Sequence, residues 1–204
     1  GRTLDVLEST GLAENTIVVF LSDHGCHFKT RNAEYKRSPH ESSVRIPFVW
    51  AGPGWDGGGE RLEAANLVDF MPTILESAGV EIPEEVQGRS LVPLTRNETD
   101  GWVEETYIQF GDGFLPPGRA IRTSSWKYAV TASEEYKGVG QAPEYHETHL
   151  YDLRTDPYEL TNLVEVKSHA ELRSKLRSTL LRRMQEAGEE PANIIEAAVE
   201  KGFS

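Results

Sequence analysis

Cysteine is nearly absent: Cys26 is the only one in 204 residues. A single thiol excludes an internal disulfide and a Cys-rich zinc site. No apolar run approaches the roughly 18 residues of a membrane-spanning helix. Basic residues are the minority, 21 Lys and Arg against 33 Asp and Glu, for a formal net charge of −12. That balance argues against a nucleic-acid partner, which needs a basic face, and against attraction to an anionic membrane. An anionic substrate stays open where a metal and local Lys or Arg reverse the field. No internal repeat or low-complexity segment is present. The length allows one sizeable core, or one domain and a smaller one.

What the sequence does have is concentrated in residues 16–25. Thr16 to Leu21 is β-branched or large apolar at nearly every position and stops at Ser22-Asp23-His24-Gly25. Such a run suits a strand buried on both faces, as in a parallel sheet covered by helices. Ligand sites of open α/β sheets lie beyond the carboxyl ends of these strands. Upstream, Thr3 to Glu8 has helical apolar spacing and Gly11 fits a C-cap. A helix feeding a buried strand is the second half of a βαβ unit, so a further portion is expected upstream of Gly1.

A polar, basic loop follows, Lys29 to Glu41, and then a second buried-strand candidate, Ile46 to Ala51. Leu67 to Ala78 is predicted helical, with Asp69 as N-cap, Pro72 in the first turn and Gly79 as stop. The texture changes near Asn97, which sets expected domains of 1–97 and 98–204. Short alternating segments at Thr106–Phe110, Arg119–Thr123, Trp126–Val130 and His149–Leu153 predict a small antiparallel sheet. Ser168 to Ala187 is predicted as an amphipathic helix, and Pro191 to Glu200 as a further short one.

Several constellations can carry chemistry. Asp23 and His24 can share one divalent cation; the plainer alternative is that Asp23 caps a turn and His24 packs. Lys36 can neutralise an oxyanion beside a metal and hydrogen-bond a leaving or attacking oxygen, or simply lie in a solvated loop. Arg119 and Arg122 flank one strand and can bind an anion bidentately, or face solvent. His146 and His149, three apart in a strand, point to opposite faces and make a poor metal pair. Cys26 has no fixed base near it and is read as structural or incidental.

Asn15 to Gly25 resembles the sulfatase stretch "NTIVVFTSDHG". Lys36 stands thirteen residues after Asp23, the common sulfatase spacing. It is followed by Glu41, Ser43, Arg45, Ile46 and Pro47, with His40 where Tyr is common. Leu67 to Leu75 resembles "LVDLPPTLL", Gly88 to Leu91 "GRSL", Ile121 to Tyr128 "VRT…WKY" and Leu150 to Leu163 "LYDLxxDPxExxNL". The matches run in family order from about residue 3 to residue 185.

The resemblance implies an α/β fold. Residues 1–97 would be the C-terminal part of an alkaline-phosphatase-like mixed α/β core, and 98–204 a small antiparallel-sheet subdomain with a C-terminal helix. It implies a sulfuric ester hydrolase acting on a small-molecule or carbohydrate sulfate ester, with a divalent metal and a formylglycine made from a Cys/Ser-x-Pro/Ala-x-Arg motif. By position, Asp23 and His24 would be metal ligands and Lys36 the catalytic contact to the sulfate and the bridging oxygen. Lys36, His40, Arg119 and Arg122 would bind substrate, with His146 and Trp126 further candidates at the substrate entrance. The nucleophile motif and the early acidic ligands are absent from these residues, so the chain needs an N-terminal part to complete the site. Where many sulfatases have Asp-Asn, this chain has Asp-His, which admits Mn2+ beside Ca2+. The Asp-His pair also occurs in relatives that cleave phosphodiesters or phosphonate monoesters. Arg31 stands where some members have a His. A non-catalytic remnant or interaction fragment is the alternative from another class.

Overall fold

The computed structural model describes residues 1–55, 57–111 and 113–198. It is mixed α/β and divides into two compact units. The first holds Gly1–Asp23 and Ile46–Val103; the second holds His24–Arg45 and the residues from Glu104 on. The sequence places a boundary at Asn97. The structure puts the break at Val103 and assigns the whole 24–45 segment to the second unit. Among the described residues no helix is long and apolar enough to cross a membrane.

In the first unit, α1 (Arg2–Ser9) leads through a 3-10 turn into β1 (Val18–Leu21). Gly11 ends the helical region in the left-handed conformation, as expected of a C-cap glycine. β1 pairs with β2 (Phe48–Ala51) in the register Val18 to Ala51 and Leu21 to Phe48. The pairing is antiparallel, which corrects the expectation of a parallel sheet, and only one face is packed. Phe48, Trp50, Trp55 and Phe70 form an aromatic cluster, with Trp50 and Trp55 stacked at 4.6 Å. On the other face Phe20 and Val49, opposite one another in the register, are 65% and 55% exposed. The run is apolar on both faces, but no described element covers the second one.

The predicted 67–78 helix is a 3-10 turn, Leu67–Asp69, running into α3 (Phe70–Ser77). Asp69 does stand at the N-cap of α3, yet its carboxylate turns back to the Asn66 N–H at 2.8 Å and receives the Arg89 N–H at 3.0 Å. Asn66 caps the 3-10 turn, accepting from Leu67 N at 2.7 Å. This polar knot under the helix start ties the Gly88-Arg89 motif to the helix. The unit's last helix is the single turn α4 (Val92–Thr95).

The second unit contains the one-turn α2 (Glu41–Val44) and a five-stranded sheet. The strands are β3 (Thr106–Phe110), β4 (Gly118–Arg122), β5 (Trp126–Thr131), β6 (Glu144–Asp152) and β7 (Asn193–Ile195), neighbours in that order. β3 to β6 are antiparallel, but β7 runs parallel to β6, so the sheet is mixed. β7 replaces the helix expected from Pro191 on; residues 199 and 200 of that prediction lie outside the described residues.

The helix α5 (Ala170–Glu186) lays Leu176, Leu180 and Met184, four apart, on Ile121, Tyr128, Val130, Tyr145 and Leu150. Arg173 shares that face and is 1% exposed. It is tolerated there because Glu147, on the sheet, lies 3.1 Å from its Nε. Glu147 also takes Arg177 at 3.1 Å and the Tyr128 hydroxyl at 2.9 Å.

Candidate functional site

β1 ends where the sequence places the candidate ligands. Asp23 is exposed and closes the first unit; His24 opens the second. The His24 ring is held between two groups of fixed polarity. Nδ1 lies 2.8 Å from the carbonyl of Gly25, and Nε2 lies 2.8 Å from Lys36 Nζ. A carbonyl can only accept and an ammonium can only donate. Nδ1 therefore carries the proton and Nε2 presents its lone pair, the arrangement by which a backbone carbonyl fixes a ligand histidine. Gly25 has to be glycine: a Cβ there would stand 2.2 Å from the Ser42 carbonyl oxygen, and its N–H donates to Ser43 O at 2.7 Å.

Lys36 is delivered by a loop that folds on its own polar groups. His27, 2% exposed, lies with Nε2 3.1 Å from the Lys36 carbonyl, and His27 N donates to Tyr35 O at 2.9 Å. The Tyr35 ring flanks the pair, 6.0 Å from the His24 ring and 5.6 Å from Lys36 Nζ. Arg37, left-handed at φ 64, pairs with Glu34 at 3.0 Å and covers the Phe114 ring at 4.5 Å.

The remaining predicted substrate contacts are placed less favourably. His40 is 5% exposed; Nδ1 meets Ser38 Oγ at 3.1 Å and Nε2 meets Tyr151 Oη at 3.2 Å. His149 stands edge-on to it at 5.2 Å. Burial first, and then the neighbouring His149, Arg31, Lys127 and His27, hold the His40 pKa down at about 3. Burial, Lys127 and Arg31 hold His149 at about 4. Arg119 is 3% exposed, bound to Glu189 at 2.7 Å and to the carbonyls of Gly118 and Gly140. Both residues are interior parts of the second unit, not surface contacts. Arg122 is more open, its side chain 31% exposed with Glu41 at 3.4 Å. His146, 43% exposed in its side chain, faces Ser133 and Glu144 rather than His149. Trp126 packs edge-on to His169 at 5.8 Å.

Sequence reasoning missed a buried charge cluster behind the loop. Lys127, with no exposed surface, lies 2.6 Å from Glu41 and 2.7 Å from Glu159. Arg31 donates to the carbonyls of Tyr158 and Glu159, the second at 2.8 Å. The available signal was that Lys127 and Glu159 lie inside the quoted Trp-Lys-Tyr and Asp-Pro-x-Glu motifs.

The pattern of the family described as N-sulphoglucosamine sulphohydrolase, C-terminal, matches residues 33–186. The chain belongs to this sulfatase family. An arylsulfatase of Clostridium perfringens is 32% identical over 91% of this chain and 37% of its own length. The choline-sulfatase of Rhizobium meliloti is 34% identical over 81% of this chain and 30% of its own. A solved structure from the glycosaminoglycan metabolism of Bacteroides thetaiotaomicron superposes with a TM-score of 0.79 at 27% identity, covering 93% of this chain and 41% of that one. Another, in complex with its substrate D-glucosamine-2-N,6-O-disulfate, superposes at 0.73 and 27% identity over 92% of this chain and 38% of its own. The chain thus spans about a third of the length of the curated relatives it matches.

The sulfatase family implies a divalent metal, typically Ca2+, and a formylglycine. Nδ1 of His24 is committed to a carbonyl, so Nε2 carries the ring's lone pair; that lone pair accepts from Lys36 Nζ at 2.8 Å, and a metal bound at Nε2 would have to take the place of that contact. Among the described residues no group of three or more His, Cys, Asp and Glu is arranged to hold an ion.

Proposed function

We propose that this chain forms the leaving-group side of a sulfuric ester hydrolase acting on a carbohydrate or other small-molecule sulfate ester. The observation that carries the reading is the 2.8 Å approach of Lys36 Nζ to His24 Nε2. A cation with three donors is held against His24 Nε2, and a metal taken up at that nitrogen would displace Lys36 toward the ester oxygens. Asp23 and His24 would hold Ca2+ or Mn2+, which supplies positive charge against the sulfuryl oxygens. A formylglycine, where the family's nucleophile is present, would supply the attacking oxygen.

The residues of this chain then have separate tasks. Lys36 donates to the bridging oxygen as negative charge develops there, an interaction stronger in the transition state than in the ground state. Its backbone carbonyl is held by His27 at 3.1 Å and its Nζ lies 5.6 Å from the Tyr35 ring, so little reorganisation is needed. Arg122 remains a candidate anion contact; the buried His40 and Arg119 support the frame. In the full-length protein, Lys36→Ala should lower kcat by roughly 10² or more on an alkyl sulfate, and by less on 4-nitrophenyl sulfate, whose leaving oxygen needs little help. Unchanged turnover would remove Lys36 from the mechanism. An aryl phosphonate assayed in parallel separates the phosphodiesterase or phosphonate hydrolase reading: faster turnover of the phosphonate than of the sulfate would favour it. Absence of both turnover and metal binding would favour a non-catalytic fragment.

A further inference from the structure

Segment 24–45 is long and nearly free of regular structure, with only the single turn α2 in it. A loop of that length pays a closure entropy that its own few hydrogen bonds do not offset. Its order comes from the second unit's sheet and the turn that follows it. Arg31 grips the carbonyls of Tyr158 and Glu159. The Glu159 carboxylate accepts from the Glu41 N–H at 2.7 Å and faces Lys127 Nζ at 2.7 Å. Glu41 in turn faces Lys127 at 2.6 Å and Arg122 at 3.4 Å.

Two features single out Glu159. Both ends of the Lys36 loop terminate on this one residue. Arg31, on its carbonyl, is five positions before Lys36 (36 − 31), and Glu41, on its carboxylate, is five after (41 − 36). Glu159 also holds a left-handed backbone at φ 55, a conformation that non-glycine residues rarely adopt, and it turns the carbonyl toward Arg31 while the carboxylate reaches Glu41. It is 2% exposed and Lys127 is fully buried. A buried ion pair of this kind is a weak source of net stability, since desolvation cancels most of the attraction. Such a pair is better explained by what it fixes in place.

We infer that Glu159, with Lys127 as its counter-ion, is a positioning residue for Lys36, clasping the loop at two points equidistant from it. This rests on the reading of Lys36 as the donor to the departing oxygen. Neither Glu159 nor Lys127 touches substrate in this scheme.

The test uses the full-length protein and two readouts. Glu159→Ala should raise amide hydrogen exchange across residues 31–41 while β3 and β4 keep their protection. It should also lower kcat roughly tenfold or more for an alkyl sulfate, whose leaving oxygen needs help, and much less for 4-nitrophenyl sulfate. Glu159→Gln, which keeps an acceptor for Glu41 N, should recover part of both effects. Arg31→Met, which removes one anchor only, should show the same pattern in smaller measure and serves if Glu159→Ala does not fold. Unchanged exchange in 31–41, or an activity loss equal for both esters, would overturn the clasp. Wild-type protein without sulfatase turnover would instead sink the proposed function, and the exchange experiment would still decide the clasp.

Discussion

Lys36 Nζ and His24 Nε2 stand 2.8 Å apart, with His24 Nδ1 bound to the Gly25 carbonyl. The backbone carbonyl thus fixes the tautomer, so that Nε2 is the nitrogen that accepts from Lys36. If Nε2 is a ligand, its replacement by an amide oxygen should change which ion is preferred. Titration of metal-stripped full-length His24→Asn should show Mn2+ binding weakened about tenfold relative to Ca2+, because the softer nitrogen donor has been exchanged for a hard oxygen. An unchanged Mn2+ to Ca2+ ratio would exclude His24 from the ligand set.

Arg119 and Arg122 lie on one strand three residues apart, yet they should respond differently to mutation. Arg119 is buried against Glu189, and Tyr107 donates to the same carboxylate. Arg119→Ala leaves that carboxylate buried without its cation, a cost of roughly 3–5 kcal/mol. The expected outcome is a lowered melting temperature with an unchanged KM in the protein that still folds. Arg122→Gln should raise KM while the melting temperature moves little. Steady-state kinetics alongside thermal melts would reveal a reversal of this pattern, which would return Arg119 to the substrate contacts.

The His40 and His149 pair should make the second unit acid-labile above the range where carboxylates titrate. Their folded pKa values of about 3 and about 4 lie well below the 6.5 of an ordinary histidine. The unfolded chain therefore binds protons that the folded chain refuses. This contribution is fully present above about pH 6.5 and is lost progressively as pH falls toward about 4. Arg31, Lys127 and His27 face the pair and oppose a further positive charge. Glu41, whose pKa is lowered mainly by Lys127 and Arg122 against the opposing effect of burial, loses its own contribution only below the ordinary carboxylate range. Melting curves between pH 7.5 and 5 isolate the histidines. His149→Gln should flatten the pH dependence by an amount on the order of 1–2 kcal/mol, and a slope equal to wild type would refute the assignment.

Much of the second unit could be read from local pattern. β3 coincides with the predicted Thr106–Phe110, and α5 lies within the predicted 168–187. The failures have a common physical origin in non-local pairing. Ala192, Ile194, Ile195 and Ala197 have a spacing that suits a helix, but parallel pairing of Asn193 to Ile195 with Glu144 to His146 wins. The run Thr16 to Leu21 carries no information on strand direction, so its antiparallel partner was not foreseen. At the candidate site, the family resemblance singles out His24 and Lys36, whose side chains stand 2.8 Å apart. The anchors Arg31 and Glu159 were not legible, because they are 128 positions apart and share no periodic pattern.

Gly25 offers the sharpest test of how the strand end is built. Its φ is ordinary, so replacing it meets no conformational penalty of the left-handed kind. The obstacle is backbone: a Cβ would lie 2.2 Å from Ser42 O, and a carbonyl oxygen cannot swing aside as a side chain can. Gly25→Ala must therefore part residue 25 from the 42–43 backbone, stretching the 2.7 Å bond from Gly25 N to Ser43 O. The Gly25 carbonyl that fixes the His24 tautomer moves with it. The expected cost is about 1–3 kcal/mol, read as a lower melting temperature. Turnover should fall further than that cost explains at temperatures where the variant is still folded. Gly140→Ala is the matched control, since nothing lies within 4 Å of its Cβ position and its φ is also ordinary. If the two variants melt and turn over alike, the close approach at Gly25 does not position His24.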